Sequence, residues 1–124
     1  VGSEMCIRDS YENAARILRE DGLIVNQCGV PFMQADELYE TSVRRKKFFP
    51  FVSAYVAAVP TYVGGYMTLG WAGKNPAQTE VSVDEIAKRA EAAGDIAGKS
   101  EYWSPRVHVA SFWLPPYIAK HLPK

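Results

Sequence analysis

The sequence predicts an α/β fold, specifically the C-terminal half of a doubly wound sheet that ends in an antiparallel hairpin. Three observations carry this. Residues 51–58 and 66–72 are nearly continuous apolar and aromatic runs of strand length, as in strands covered by helices. Between them stands Val59-Pro60-Thr61-Tyr62-Val63-Gly64-Gly65, in which a proline without an amide donor ends one strand and two glycines allow positive φ before the next begins. The third observation is that segments with helical spacing alternate with the apolar runs.

In chain order, Tyr11, Ala14, Ala15 and Leu18 recur at helical spacing, and Gly22 stands where a C-terminal cap would end that helix. A strand is expected over residues 23–27. Ala35, Leu38, Tyr39 and Val43 put an apolar stripe on a helix over residues 34–47, which Pro50 closes before the hairpin. Arg44-Arg45-Lys46-Lys47 fall in its last turn, where cations complement the macrodipole, and are read as solvated. Residues 73–80 have loop composition. Ser82-Val83-Asp84-Glu85 is a capping-box pattern opening a helix with Val83, Ile86, Ala87 and Ala90 on one face, expected to pack on the hairpin and stop at Gly94. A turn-rich stretch over residues 94–99 and a short helical turn after Ser104-Pro105 complete the pattern.

Composition bounds the function. A chain of 124 residues with 48% hydrophobic and 23% charged side chains forms one domain with a modest core. Lys and Arg together number 14, as do Asp and Glu, so no global field draws nucleic acid or an anionic membrane. The apolar runs fall far short of the roughly 20 residues of a bilayer span. Cys6 and Cys28 have no metal-ligand spacing and indicate neither a disulfide framework nor a zinc site, which suits a reducing cytoplasm.

Candidate site residues follow from position. Tyr62 is a polar ring at the turn; such a tyrosine either rests half-buried on a backbone partner or faces a ligand. For a tyrosine taken by itself the first is the safer reading, but ligands collect beyond the carboxyl ends of strands in open α/β sheets, where Tyr62 follows one strand and Gln27 ends another. Gln27 is a polar group ending an apolar strand, so it must hydrogen-bond within the protein or face a polar cavity. Cys28 reads as a small packed hydrophobe and His108 as a structural hydrogen-bonding residue. Trp71, Trp103 and Trp113 are expected to pack, with Trp71 also placed to border the site.

Four colinear blocks carry a family resemblance. Pro60-Thr61-Tyr62 before Gly64-Gly65 resembles the Pro-Thr-Tyr segment of the polyamine aminopropyltransferases, the spermidine synthase family. Asp21-Gly22-Leu23-Ile24-Val25-Asn26-Gln27 is similar to the family's strand ending in glutamine, and Gly29-Val30-Pro31-Phe32-Met33-Gln34 continues as in its bacterial branch. The stretch from Tyr102-Trp103-Ser104-Pro105 through His108 to Phe112-Trp113-Leu114-Pro115 resembles the closing segment. Together the blocks cover residues 11–122.

The resemblance implies a methyltransferase-like (Rossmann-like) sheet and transfer of an aminopropyl group from decarboxylated S-adenosylmethionine to putrescine, giving spermidine and methylthioadenosine. It implies decarboxylated S-adenosylmethionine as co-substrate with no prosthetic group or metal, putrescine as small-molecule partner, a homo-oligomeric full-length protein, and substrate-binding roles for Tyr62 and Gln27. The cofactor-binding half and the catalytic aspartate of the family match nothing here. Residues 11–124 therefore resemble the C-terminal part of the catalytic domain, inactive alone, with the general base expected upstream. Residues 1–10 match none of the blocks and resemble translated adapter sequence, so they are expected to be a non-native leader that does not pack on the domain. Two other readings fit the same residues: part of a putrescine N-methyltransferase, or a noncatalytic packing module.

Overall fold

The computed structural model describes residues 2–78 and 80–124, with side chains from residue 9 onward. The elements are α1 (Gly2–Ile17), β1 (Leu23–Gln27), α2 (Ala35–Lys46), β2 (Phe51–Ala58), β3 (Tyr66–Gly73), α3 (Val83–Ala92), α4 (Pro105–Ser111) and α5 (Pro116–Ala119), with short 3-10 turns at Pro76–Gln78 and Ala97–Lys99. The strands form one antiparallel sheet in the order β1-β3-β2. The last strand of the chain lies in the middle, so β1 and β2 run in the same direction and finish at the same end of the sheet. Register follows: Gln27 faces Leu69 and Ala58 faces Tyr66 across their ladders. The expected hairpin is present, and its two strands pair over their whole length.

Side-chain alternation gives the sheet two different faces. One packs on α2 and the C-terminal segment, where Cys28, Leu38, Ala54 and Ile118 form the fully buried core with Val56, Leu114 and Leu122 beside it. The other face carries Tyr55 and Trp71, and α4 covers it by setting Phe112 against both, at ring separations of 5.1 Å and 6.4 Å.

Three local expectations need adjustment. Gly22 caps no helix: α1 stops at Ile17, and the close approach of Leu18 leaves no room for a Cβ at Gly22, so its smallness serves packing rather than φ. Helix α3 packs mainly on α4 rather than on the hairpin. Its ends are as anticipated, with Ser82 Oγ accepting from Glu85 N at 3.2 Å and Gly94 taking φ +95° beyond the last turn. Helix α2 buries Leu38, Ser42 and Arg45 rather than the Tyr39 side of its apolar stripe; Tyr39 is exposed. The expectation that residues 1–10 stay unpacked concerns side chains of which all but the last two lie outside the described residues.

Candidate functional site

At the carboxyl end of the sheet, the connections leaving β1 and β2 meet over the start of β3. The Val59–Gly65 turn is built from nested backbone bonds: Tyr62 N donates to Val59 O at 3.0 Å, Gly65 N to Tyr62 O at 3.0 Å, and Val59 N to Gly65 O at 2.8 Å. Gly64 and Gly65 have φ of +95° and +75°, which a side chain would strain. This geometry leaves the Tyr62 ring at the rim, 42% exposed.

The loop after β1 is tied to the same place. Thr68 N donates to Gly29 O at 3.0 Å, Thr68 Oγ1 donates to Gly29 O at 2.6 Å, and Cys28 N donates to Thr68 O at 2.9 Å. Val30 of this loop comes up against Gly64 of the turn. Gln27 is exposed on the face that β1 shares with Leu23 and Val25. The structure thus brings Tyr62 and Gln27 to one end of the sheet, the first in the turn after β2 and the second as the last residue of β1. Phe32, Met33, Val63 and Tyr66 make the rest of this rim an exposed apolar surface.

Behind Gln27 lies a polar network that sequence reasoning missed. Arg45, expected to be solvated with its neighbours, is completely buried. Its Nη1 donates to Asn26 Oδ1 at 2.8 Å and to Cys28 Sγ at 3.2 Å, while Nη2 donates to Ser42 Oγ at 3.1 Å. Asn26 Nδ2 in turn donates to Tyr11 OH at 2.9 Å. The guanidinium sits over Gly70, where any Cβ would overlap it. Only Arg45 departs from expectation; Lys46 and Lys47 are exposed, and Arg44 pairs with Glu40 at 3.4 Å. Cys28 is packed as expected, but it also accepts from Thr41 Oγ1 at 3.3 Å, so it is a polar acceptor as well as a core residue.

On the other face of the sheet, Tyr55, Trp71, Ile86, Trp103, His108 and Phe112 line a cavity of about 400 Å³. His108 Nδ1 accepts from Trp103 Nε1 at 3.3 Å, which assigns the ring proton to Nε2 and bears out the structural reading of this histidine. Burial lowers the His108 pKa and raises that of Tyr55. Trp71 and Trp103 pack as anticipated. Trp113 does not: it is 82% exposed, at a bend just past the end of α4. No cluster of three or more potential metal ligands occurs among the described residues, and no helix among them is long and apolar enough to cross a membrane.

A mixed α/β unit with loops beyond the ends of two codirectional strands, and the third strand returning between them, belongs to the methyltransferase-like class of folds. The spermine/spermidine synthase domain family matches residues 3–84, so the chain belongs to that family. It is 44% identical over 113 residues to a polyamine aminopropyltransferase of Ruegeria sp. (strain TM1040), covering 91% of this chain and 39% of that protein. To the polyamine aminopropyltransferase of Pectobacterium carotovorum it is 38% identical over 121 residues, 98% of this chain and 41% of the relative. The chain therefore spans about two fifths of the length of these relatives. Among solved structures, spermidine synthase from Thermotoga maritima superposes with a TM-score of 0.77 at 25% identity, covering 93% of this chain and 39% of that one. A spermidine synthase in complex with the transition-state analogue AdoDATO gives 0.74 at 26% identity, covering 93% and 38%.

Proposed function

We propose that this chain forms the diamine-facing C-terminal part, residues 11–124, of a polyamine aminopropyltransferase that makes spermidine from putrescine and decarboxylated S-adenosylmethionine. The observation that carries the reading is the convergence of the Pro60-Thr61-Tyr62 turn and the Gln27 strand end at one end of the sheet, in a chain this similar to named aminopropyltransferases. In this reaction the amine nitrogen attacks the propyl carbon bound to the sulfonium. The C–N bond forms as the C–S bond breaks, and the bonding pair leaves with sulfur as the thioether of methylthioadenosine. The sulfonium departs readily; the amine, protonated at neutral pH, must first give up a proton to a general base.

Tyr62 OH and the Gln27 Oε1 carbonyl are neutral acceptors suited to an ammonium or amine N–H. Their role is to hold the nitrogen in line, an alignment that can supply several kcal/mol of a barrier. Proton removal is assigned to the part of the enzyme contributed by the remaining length of its relatives. The exposed apolar rim of Phe32, Met33 and Val63 suits the methylenes of a diamine or a covering segment. We place the enzyme in the cytoplasm, a reading supported by the free buried thiol of Cys28 and the company of biosynthetic relatives, and take its homo-oligomeric state from the family resemblance alone.

The test is turnover. The enzyme extended to the full length of its relatives is expected to convert putrescine and decarboxylated S-adenosylmethionine to spermidine and methylthioadenosine in equal amounts, while the 124-residue chain forms neither. Methylated putrescine formed from S-adenosylmethionine, or turnover by the short chain, would overturn the reading.

A further inference from the structure

We infer that Arg45 is a positioning residue for Gln27, acting through the residues on either side of it; the inference rests on Gln27 facing the diamine as proposed above. Arginine stays charged at any working pH, and burying its cation costs several kcal/mol unless acceptors compensate. Here the compensation is incomplete. Arg45 is fully buried, its three acceptors are all neutral groups, and Nε has no hydrogen-bond partner. An apolar side chain over a larger residue at position 70 would fill the same space at lower cost, so packing alone does not account for the pair formed by Arg45 and Gly70.

What the guanidinium does is local. A single nitrogen, Nη1, holds both Asn26 Oδ1 and Cys28 Sγ, the side chains immediately before and after Gln27. Asn26 is held from its other side by Tyr11 OH. Successive side chains of a strand point to opposite faces, so clamping residues 26 and 28 toward α2 obliges Gln27 to project from the opposite face. A slip of one residue would bring Gln27 under the guanidinium and turn Asn26 outward, and the loss of the two acceptors on this stretch, Asn26 Oδ1 and Cys28 Sγ, opposes that slip. The backbone of the same stretch is pinned through Cys28 N and Gly29 O to Thr68, next to the hairpin that carries Tyr62. Arg45 touches no substrate on this account; it sets where one ligand side chain stands relative to the other.

The experiment is a double-mutant cycle on the complete enzyme, reading KM for putrescine and for decarboxylated S-adenosylmethionine separately. Arg45→Met is expected to raise the diamine KM about tenfold while leaving that of the nucleoside substrate unchanged. In the Gln27→Ala background the same change is expected to add little, because the group it positions is gone. Asn26→Ala, which removes one clamped side chain and leaves the cation in place, is expected to follow the same pattern and serves if Arg45→Met does not fold; Arg45→Lys, keeping the charge without the fork, should recover only part of the loss. A general structural role predicts instead equal losses for both substrates, additive with Gln27→Ala, and that result would overturn the inference. If Gln27→Ala itself leaves the diamine KM unchanged, the site reading has failed. If Gln27→Ala raises it but Arg45→Met and Asn26→Ala do not, the positioning role alone has failed.

Discussion

Replacing Gly70 by alanine probes the buried guanidinium from the strand side. At an ordinary central-strand glycine the substitution would help slightly, since alanine loses less backbone entropy on folding, by roughly 0.5–1 kcal/mol. At Gly70 the added Cβ would overlap Nη1, Nη2 and Cζ of Arg45, so the guanidinium must leave its seat. Its hydrogen bonds to Asn26, Cys28 and Ser42 go with it. Breaking a buried charged network costs about 3–5 kcal/mol, so the expected destabilisation is about 4 kcal/mol. Urea unfolding of the chain followed by tryptophan fluorescence and circular dichroism measures it. The same substitution made in an Arg45→Leu background, where the guanidinium is absent, is expected to return to the ordinary sign and stabilise by up to about 1 kcal/mol. A Gly70→Ala cost below about 1 kcal/mol in the wild-type chain, or equal costs in both backgrounds, would refute the claim that the glycine exists to seat Arg45.

Other outcomes are equally specific. Ser82→Ala removes the acceptor for Glu85 N at the start of α3 and should cost about 1 kcal/mol, read as a lower urea midpoint with unchanged slope. Burial lowers the folded-state pKa of His108, so above the ordinary histidine value both states are neutral there and it adds no pH dependence; as pH falls below that value the unfolded chain takes up the proton first and stability declines until the lowered folded value is passed. A His108→Gln variant should show a flatter stability profile across that window, and an unchanged profile would contradict the burial effect. Deleting residues 1–10 is expected to leave the unfolding temperature unchanged, as befits the proposed leader; a marked drop would show that the segment packs on the domain.

The hairpin was legible because everything about it is local: an apolar run, a proline without a donor, two glycines at positive φ, and a second apolar run of matching length. The cap at Ser82 was legible for the same reason, since its side chain serves an amide three residues on. Arg45 was not. Hydrophobic periodicity assigns polar residues to the outside, and on α2 the stripe that enters the protein runs through Leu38, Ser42 and Arg45, two of them polar. The only signal was indirect: a glycine inside a strand that otherwise reads as well packed, and an asparagine inside an apolar one, neither interpretable until the sheet registers them side by side as Asn26 and Gly70. Trp113 was misplaced by the converse logic, because its size suggested a core while it stands exposed at the bend just past α4. The aromatic cavity joins residues from β2, β3, α3 and α4, a tertiary arrangement that no spacing rule encodes.

The central claim is that Tyr62 and Gln27 together receive the diamine, and Tyr62→Phe in the complete enzyme tests it most directly. The substitution keeps the ring at its 42% exposed rim position and removes one hydroxyl. A lost hydrogen bond to a charged group is worth roughly 1.5–3 kcal/mol, so kcat/KM for putrescine is expected to fall about ten- to hundredfold, with binding of the nucleoside substrate unchanged. Wild-type kcat/KM for putrescine in Tyr62→Phe would contradict the account and leave that tyrosine as an ordinary turn residue.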